Sequence, residues 1–328
     1  MNKKKTLIII LTVILVAAAA GLGIFLVSET SGYKRDSADT EEFYRQNVAA
    51  VGYKNTVETA IPQTDIYTLI DDHFRSPLAK GKTVKKAILI GYDGCRADIL
   101  AEIKDGESGI KALTDNGAAL NLAYCGGVNY PEKNTQDTST APGWCSILTG
   151  VWADVHGITG NDITKDMETK TLLTSLTEDK IIANASFITR WAGHFDRKKA
   201  TYLAEKEYCE ANTLPVNFVK RENDEASFNY TMEELGRVEC SDFIFSILEP
   251  TDSTGHNKGF TYNNPEYKDA FKLEDSYAKQ IIDAMKNRST FAEEEWMVII
   301  TSDHGGIKTG HGNESIQERM TFVVADYF

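Results

Sequence analysis

The stretch Met297-Val-Ile-Ile-Thr-Ser-Asp303-His304 joins a run of aliphatic residues to two side chains that can bind a metal ion. Residues 87–93 and 243–252 repeat this design, and each ends in an aspartate. Short apolar runs bounded in this way are typical of buried strands in a parallel sheet. Ligands of an open α/β sheet bind outside the carboxyl ends of its strands. Three parallel strands would therefore bring these distant side chains to one edge of the sheet.

The polar side chains in and after these runs form one chemical set of carboxylates and imidazoles. They are Asp93, Asp252, His256, Asp303, His304 and His311. Such ligands without paired thiolates suit zinc, with other divalent ions possible, and six of them exceed the needs of one tetrahedral ion. Two ions about 4 Å apart can hold the attacking and the leaving oxygen of a displacement at phosphorus. The sequence therefore predicts a two-metal site for phosphate-ester hydrolysis.

Residues 138–150 supply a candidate nucleophile, Thr140, two positions ahead of Pro142. Proline is favoured in the first turn of a helix because its missing N–H costs nothing there. Thr140 would then lie just ahead of a helix amino terminus, where free amides and the positive end of the dipole favour an alkoxide and a phosphoryl oxygen. Since metal coordination can activate a hydroxyl, we expect Thr140 to attack phosphorus and to carry a covalent intermediate.

With these motifs in this order, residues 85–328 resemble the type I phosphodiesterase/nucleotide pyrophosphatase family of the alkaline phosphatase superfamily. The motifs that carry the resemblance are Tyr92-Asp93-Gly94, Thr140-Ala-Pro142 with His156-Gly-Ile and Asn161, residues 249–256, and residues 302–311. The resemblance implies an alkaline-phosphatase-like, doubly wound and mostly parallel sheet, and cleavage of phosphodiesters or nucleotide pyrophosphates.

The resemblance also implies a role for each site residue. One zinc ion would be held by Asp93, Thr140, Asp303 and His304, and the other by Asp252, His256 and His311. Asn161 would help to bind the transferred phosphoryl oxygens.

The loop around Thr140 departs from the family pattern, which usually has a bulky residue before the proline and Asn-His after it. Here Ala141 precedes Pro142, and Gly143 and Trp144 follow it. We interpret this difference as one in the substrate pocket, with room for a second substituent on phosphorus. Sulfatases of the superfamily need Cys or Ser at the nucleophile position, so Thr140 argues against that activity. Three alternatives to a diesterase stay open: a phosphomonoesterase, a transferase of phospho-head groups onto the envelope, and a catalytically silent surface binding protein.

The amino terminus predicts a membrane anchor. Residues 1–5 include three lysines and would form a cytoplasmic tail, and residues 6–27 form an uncharged apolar stretch. About 20 such residues span a bilayer core as a helix, and cleaved signal peptides usually have a shorter apolar run. The positive residues ahead of this stretch predict that the rest of the chain lies outside the cell. The expected location is the cell membrane, with a single transmembrane helix as signal anchor and an extracellular catalytic domain.

Two parts follow the predicted anchor. Residues 28–84 are expected to form a polar stalk and a packing helix that stops near Ser76. Residues 85–328 suit one large catalytic domain. Within it the sequence predicts strands at residues 182–188 and 216–219 and an amphipathic helix at residues 265–288. This alternation favours an α/β fold with a doubly wound parallel sheet flanked by helices.

The net charge of the chain limits the classes of partner that we expect it to bind. It has 48 Asp and Glu residues against 35 Lys and Arg residues, a formal net charge of −13. Such a surface binds nucleic acid poorly, so we expect no nucleic acid polymer as partner. A small phosphate-ester substrate can still be drawn to two divalent ions, with Lys308 and Arg96 as basic residues that could contact it. The oligomeric state stays open.

Five cysteines are present, and an odd number leaves at least one thiol unpaired in an exported protein. Cys209 could pair with Cys240, and Cys125 with Cys145, but the sequence does not fix these pairs. Cys95, two positions after Asp93, is the best candidate for a free thiol buried in a turn.

Overall fold

The computed structural model describes residues 40–127 and 134–328. The predicted cytoplasmic tail and membrane span lie outside this part of the chain, as does the beginning of the predicted stalk. Among the described residues, no helix is long and apolar enough to cross a membrane.

The described residues form one eight-stranded sheet in the order β1-β3-β8-β7-β2-β6-β4-β5. The strands are β1 (Ile61–Pro62), β2 (Val84–Tyr92), β3 (Leu120–Tyr124), β4 (Ala185–Thr189), β5 (Val216–Lys220), β6 (Phe243–Leu248), β7 (Glu294–Thr301) and β8 (Met320–Tyr327). Strand β8 runs antiparallel to its neighbours β3 and β7, and the other paired strands are parallel. The expected mostly parallel sheet is thus confirmed, with one antiparallel strand that the sequence did not indicate.

Helices cover both faces of this sheet. They are α1 (Glu41–Val51), α2 (Asp65–Arg75), α3 (Gly109–Asp115), α4 (Thr140–Thr149), α5 (Ala153–His156), α6 (Leu172–Glu178), α7 (Leu203–Ala211), α8 (Asp224–Gly236), α9 (Pro250–Lys258), α10 (Pro265–Lys286) and α11 (Ile316–Arg319). Because successive side chains of a strand point to opposite faces, Ile88 and Ile90 of β2 pack with α3, α8 and α10, whereas Ala87 and Leu89 pack with α2, α4 and α6. A strand buried on both faces needs the continuous apolar run that the sequence shows.

Strand β2 lies between β6 and β7, and the register of these three strands determines where the site forms. Tyr92 of β2 pairs with Leu248 of β6, and Gly91 pairs with Thr301 of β7. The three strands therefore end at the same level of the sheet. The motifs that contain the predicted metal ligands follow directly at this edge, as the sequence indicated.

The described part of the predicted stalk packs on the sheet domain. Tyr44 and Val48 of α1 are buried in a small apolar cluster with Ala97 and Met320. The Arg96 guanidinium lies over the Tyr44 ring, 5.2 Å from its centroid. Strand β1 extends the edge of the sheet, so residues 40–84 belong to the compact body of the domain.

The five cysteines are all buried and unpaired. The pairs that the sequence left open, Cys209 with Cys240 and Cys125 with Cys145, are not formed. Cys95 is free and buried, as expected. Burial raises the pKa of the Cys125 and Cys145 thiols, which keeps them protonated and unreactive at neutral pH.

Candidate active site

The three aspartates of the site come together because β2, β6 and β7 end side by side. Asp93 directly follows β2, Asp252 lies in the first turn of α9 after β6, and Asp303 follows β7. The turn after Asp93 is tight, since Gly94 has φ +66° and a Cβ there would lie 2.8 Å from the Asp252 Cβ. The Thr251 hydroxyl donates to the Asp93 carbonyl at 2.7 Å and joins the ends of β2 and β6.

Four predicted ligands converge in a first group, which we call the Asp93 group. The Thr140 Oγ1 lies 3.4 Å from Asp93 Oδ1 and 3.5 Å from His304 Nε2. The same His304 nitrogen is 3.5 Å from Asp93 Oδ1 and 3.4 Å from Asp303 Oδ2. All four side chains are buried.

The other three predicted ligands form a second group, the Asp252 group. The His256 Nε2 and His311 Nε2 atoms are 3.1 Å apart, and they lie 3.4 Å and 3.6 Å from Asp252 Oδ1. The His304 ring also stacks near His311 with centroids 4.0 Å apart, so the two groups are neighbours. By ligand-atom spacing alone, His304 could join either group. Its contacts with Asp93, Thr140 and Asp303 place it in the first.

The three imidazoles are oriented as metal ligands usually are. Each Nδ1 faces a backbone carbonyl: His304 the Gly305 oxygen at 2.7 Å, His256 the Thr309 oxygen at 3.1 Å, and His311 the Thr138 oxygen at 3.0 Å. A carbonyl only accepts, so each Nδ1 carries the proton, and in a neutral ring Nε2 keeps its lone pair. Metal binding requires neutral rings, and in that state the Nε2 lone pairs would face the carboxylates and each other, so that a cation between them would satisfy all of them.

The electrostatics of the site also fit cations. Burial and the neighbouring Asp93 charge raise the pKa of Asp252 to about 6 and that of Asp303 well above its usual value. Burial lowers the pKa of His304, but Asp303 and Asp93 outweigh it and raise the pKa to about 10. Asp252 Oδ1 and Asp303 Oδ2 are buried without a hydrogen-bond partner. Three crowded carboxylates with unsatisfied oxygens are the donor set that divalent ions would neutralise.

Thr140 is the first residue of α4, after Ser139 in an extended conformation. Pro142 lies in the first turn, as predicted. Asn161 does not point its amide oxygen at the site: Oδ1 accepts the Ala141 N–H at 2.8 Å. Asn161 is therefore tied to the residue next to Thr140, and the role of Asn161 in binding phosphoryl oxygens stays a prediction.

Gly143 and Trp144 lie against Asp303 and Asp93, two of the predicted metal ligands, so the free space that the sequence-based interpretation expected beside Gly143 is occupied by Asp303. A Cβ at Gly143 would come within 2.9 Å of the Asp303 Cβ. The Trp144 indole N–H donates to Asp93 Oδ2 at 3.1 Å. Ala141, Gly143 and Trp144 are all buried, so none of them enlarges an open pocket. The residues that depart from the family pattern therefore contact two of the predicted ligands.

The structure also separates the other basic and imidazole residues from the ligand set. Arg96 is fully buried and pairs with Asp98 through two hydrogen bonds of 2.9 and 2.8 Å, so it is not available to a substrate. Lys308 is exposed on the loop that leads to His311. His156 is buried, with Nε2 3.2 Å from the Ser146 hydroxyl, and supports α4 from behind.

A charged group beside the site was missed by sequence reasoning. Arg190 directly follows β4 and lies 3.0 Å from Asp224 and 3.2 Å from Glu249. Its guanidinium also donates to the Ser253 hydroxyl, next to Asp252. Burial and the Asp93 charge raise the pKa of Glu249 to about 8. The one available signal was the position of Arg190 at the carboxyl end of a predicted strand.

Comparisons with known proteins found one family model and several solved structures that are similar to this chain. The model of the family described as type I phosphodiesterase / nucleotide pyrophosphatase matches residues 87–319. Murine ectonucleotide pyrophosphatase / phosphodiesterase 5 is 20% identical, with 67% of this chain and 57% of that chain covered and a TM-score of 0.47. The alkaline phosphatase of the Antarctic bacterium TAB5 is 14% identical (75% and 91% covered, TM-score 0.44). The lipoteichoic acid synthase LtaP of Listeria monocytogenes is also 14% identical (79% and 71% covered, TM-score 0.45).

The matched range of the family model contains the whole ligand set. It begins in β2, ahead of Asp93, and ends after His311. This chain spans 57% of the length of the murine protein. The chain belongs to the type I phosphodiesterase / nucleotide pyrophosphatase family.

Proposed function

We propose that this protein hydrolyses phosphate esters, with phosphodiesters or nucleotide pyrophosphates as its first substrates, through a covalent intermediate on Thr140. One observation carries the proposal: the Thr140 hydroxyl begins helix α4 and lies within 3.5 Å of both Asp93 and His304. Family membership supports phosphoester hydrolysis. Few sites other than a phosphoryl-transfer centre need a hydroxyl, three carboxylates and three imidazoles in two neighbouring groups, of which the Asp93 group is buried.

Two divalent ions, with zinc as the proposed metal, fit the donor set. The Asp93 group would hold one of them and the Asp252 group the other. When bound, the ions would supply electrostatic stabilisation of the charge that develops on the phosphoryl, attacking and leaving oxygens. Neither group contains a cysteine. This donor set agrees with a hard or borderline ion, and it argues against a purely structural site held by thiolates.

The residues of the chain supply the nucleophile and its orientation. In the first step the Thr140 oxygen attacks phosphorus, its proton passes to solvent or to the leaving oxygen, and the bond between phosphorus and the leaving alcohol or phosphate breaks. The phosphoryl group stays on Thr140 as an ester that keeps its other substituent. In the second step water attacks this phosphorus, one water proton returns to the Thr140 oxygen as the bond between them breaks, and the phosphate monoester is released. The amino terminus of α4 points at the transferred group, where its dipole favours negative charge.

The preference for diesters over monoesters is tested by comparing two chromogenic esters on the purified full chain in detergent with added zinc. We expect a higher kcat/KM for a nitrophenyl nucleotide diester than for nitrophenyl phosphate. The reverse ratio would identify a phosphomonoesterase. Turnover of neither ester by protein that has bound its ions would identify a silent binding protein, and this outcome would contradict the proposal.

We also propose that residues 6–27 anchor the protein in the cell membrane with its catalytic domain outside. The support is the uncharged apolar stretch and the lysines that precede it. A tag at the carboxyl end should be accessible to protease on intact cells and should remain in the membrane fraction. A protected tag, or release of the protein into the medium, would contradict this topology.

A further inference from the structure

Trp144 lies directly behind the Asp93 carboxylate. Its side chain is fully buried, and its indole Nε1 donates to Asp93 Oδ2 at 3.1 Å. The other oxygen, Oδ1, faces Thr140 and His304. The two oxygens of this carboxylate thus have different partners: Oδ2 accepts the indole N–H, and Oδ1 is directed at the site.

The indole ring is closely packed against the sheet. Gly91 of β2 lies against it, and a Cβ on Gly91 would overlap the ring. The ring also packs on Phe245 of β6, with centroids 5.2 Å apart and planes tilted by 59°. Asp93 is fixed as well, because its backbone N–H donates to the Leu248 carbonyl at 2.9 Å. Both partners of the hydrogen bond are therefore set by the sheet.

We propose that Trp144 is a positioning residue that makes Asp93 a one-oxygen ligand of the ion in the Asp93 group. This inference rests on the proposed function. An indole N–H can only donate and cannot itself bind a metal ion, so it occupies Oδ2 without competing for the ion. Oδ1 is left to point between Thr140 and His304. Hydrogen-bond partners of this kind commonly change metal affinity by 10- to 100-fold when they are removed.

The direct test is the variant Trp144→Phe, which keeps an aromatic ring in the buried space and removes only the N–H and part of the ring. Metal affinity of the metal-free protein is measured by competition with a chromogenic chelator, which reports both ions without any turnover. We expect one of the two ions to bind about 10- to 100-fold more weakly. The second ion, in the Asp252 group, should be affected less.

Trp296 provides a matched control. It is also fully buried, and its indole N–H donates to Glu294 Oε2 at 2.8 Å, but it lies at the opposite end of β7 from the site. Trp296→Phe removes the same kind of indole–carboxylate hydrogen bond. We expect it to lower the stability of the fold and to leave the affinity for both ions unchanged.

The outcomes separate this inference from the proposed function. If folded Trp144→Phe binds both ions as tightly as the wild type, the role of Trp144 is overturned and the two-metal proposal stands. If the wild type itself binds no ion, the two-metal proposal fails and this inference fails with it. Equal losses of affinity in the Trp144 and Trp296 variants would also overturn it, because they would show a general effect of lower stability.

A second measurement tests the proposal on the wild type, and it applies if the Trp144→Phe variant does not fold. The wild type labelled with 15N-tryptophan has four indole N–H signals, which Phe variants of Trp152, Trp191 and Trp296 assign by elimination. On addition of zinc the Trp144 signal should shift, because the carboxylate that accepts its hydrogen bond becomes bound to a cation. The Trp296 signal should stay in place. An unmoved Trp144 signal would overturn the proposal.

Discussion

The Thr140 hydroxyl is the atom on which the proposed chemistry depends. If it attacks phosphorus, Thr140→Ala should reduce kcat by several orders of magnitude while the other six ligands keep most of the bound metal. Thr140→Ser should retain partial activity because the hydroxyl remains and only the methyl group that restricts its rotamer is lost. Single-turnover kinetics with a diester, together with a search for phosphate trapped on Thr140 at low pH, would measure both effects.

Thr149 at the other end of α4 is the control for this variant. It is buried like Thr140, and its hydroxyl donates to the Cys145 carbonyl at 2.6 Å, away from the ligands. Thr149→Ala should cost some stability and leave kcat unchanged. In a rival scheme water attacks phosphorus directly and Thr140 only begins the helix. Robust turnover by Thr140→Ala would support that scheme and end the covalent proposal.

His156 makes the stability of the fold depend on pH. Burial lowers its pKa to about 4 from the ordinary value of 6.5. Between these two pH values the unfolded chain binds a proton that the folded chain excludes, so this histidine reduces stability as the pH falls below 6.5. From pH 7 to pH 5 its contribution is a loss of about 2 kcal/mol, and above pH 6.5 it contributes almost nothing.

The measurement is denaturant unfolding of the wild type and His156→Gln at pH 7 and pH 5, both without metal. Other groups titrate in this range, so the comparison uses the difference between the two proteins. We expect the variant to be less stable at pH 7, since it loses the bond to Ser146, but to lose less further stability on acidification. An identical loss in both proteins would show that His156 is protonated in the folded state.

Gly91 of β2 contacts the Trp144 ring of α4, so this contact joins a central strand of the sheet to the helix that begins at Thr140. Gly91→Ala would place a methyl group into the Trp144 ring, and overpacking of this kind typically costs about 1–3 kcal/mol. The ring would have to shift, so the variant should also bind metal more weakly. Gly236→Ala is the control, because no atom lies within 4 Å of the added methyl. Thermal unfolding and zinc titration of both variants would test this; wild-type metal affinity in Gly91→Ala would contradict it.

Apolar runs predicted the central strands because a strand buried on both faces is apolar along its length, without the alternation of polar residues that a half-exposed strand shows. Strands β2, β6 and β7 were predictable for this reason, and helix α10 was predictable from its amphipathic pattern. The antiparallel direction of β8 was not, since the sequence of a strand carries no mark of the direction of its neighbours. The contact of Trp144 with Asp93 was also hidden, because it joins residues 51 positions apart through a pairing of elements that only the fold creates.

Removal of metal should weaken the entire domain. Without a cation, burial and the Asp93 charge disfavour the ionised forms of Asp252 and Asp303, and ions that bind only the folded state stabilise it by mass action. We expect a chelator to lower the Tm and added zinc to restore it, with two ions per chain by elemental analysis. A Tm that does not respond to chelation of a zinc-loaded sample, or an active enzyme with one ion, would contradict the two-metal site.

The ligand set could be predicted as a list, whereas its division into two groups came from the resemblance to a family. Residue types and strand ends indicate that ligands meet at one edge. They do not show that His304 lies between both groups, nor that Arg190 and Glu249 form a charged pair beside them. Those facts depend on the order of the strands in the sheet, which places β4 next to β6. Local sequence patterns carry no information about that order.

If residues 6–27 anchor the chain as proposed, the packing of α1 on the domain would limit the distance between the domain and the bilayer. Tyr44 and Val48 of α1 are buried, so only residues 28–40 separate the proposed span from the start of α1 at Glu41. Residues 28–40 reach at most about 45 Å when fully extended. An anchored enzyme on so short a tether would search a thin layer beside the membrane. Esters fixed in that layer would meet it at a high effective concentration, whereas soluble esters would have to diffuse into it.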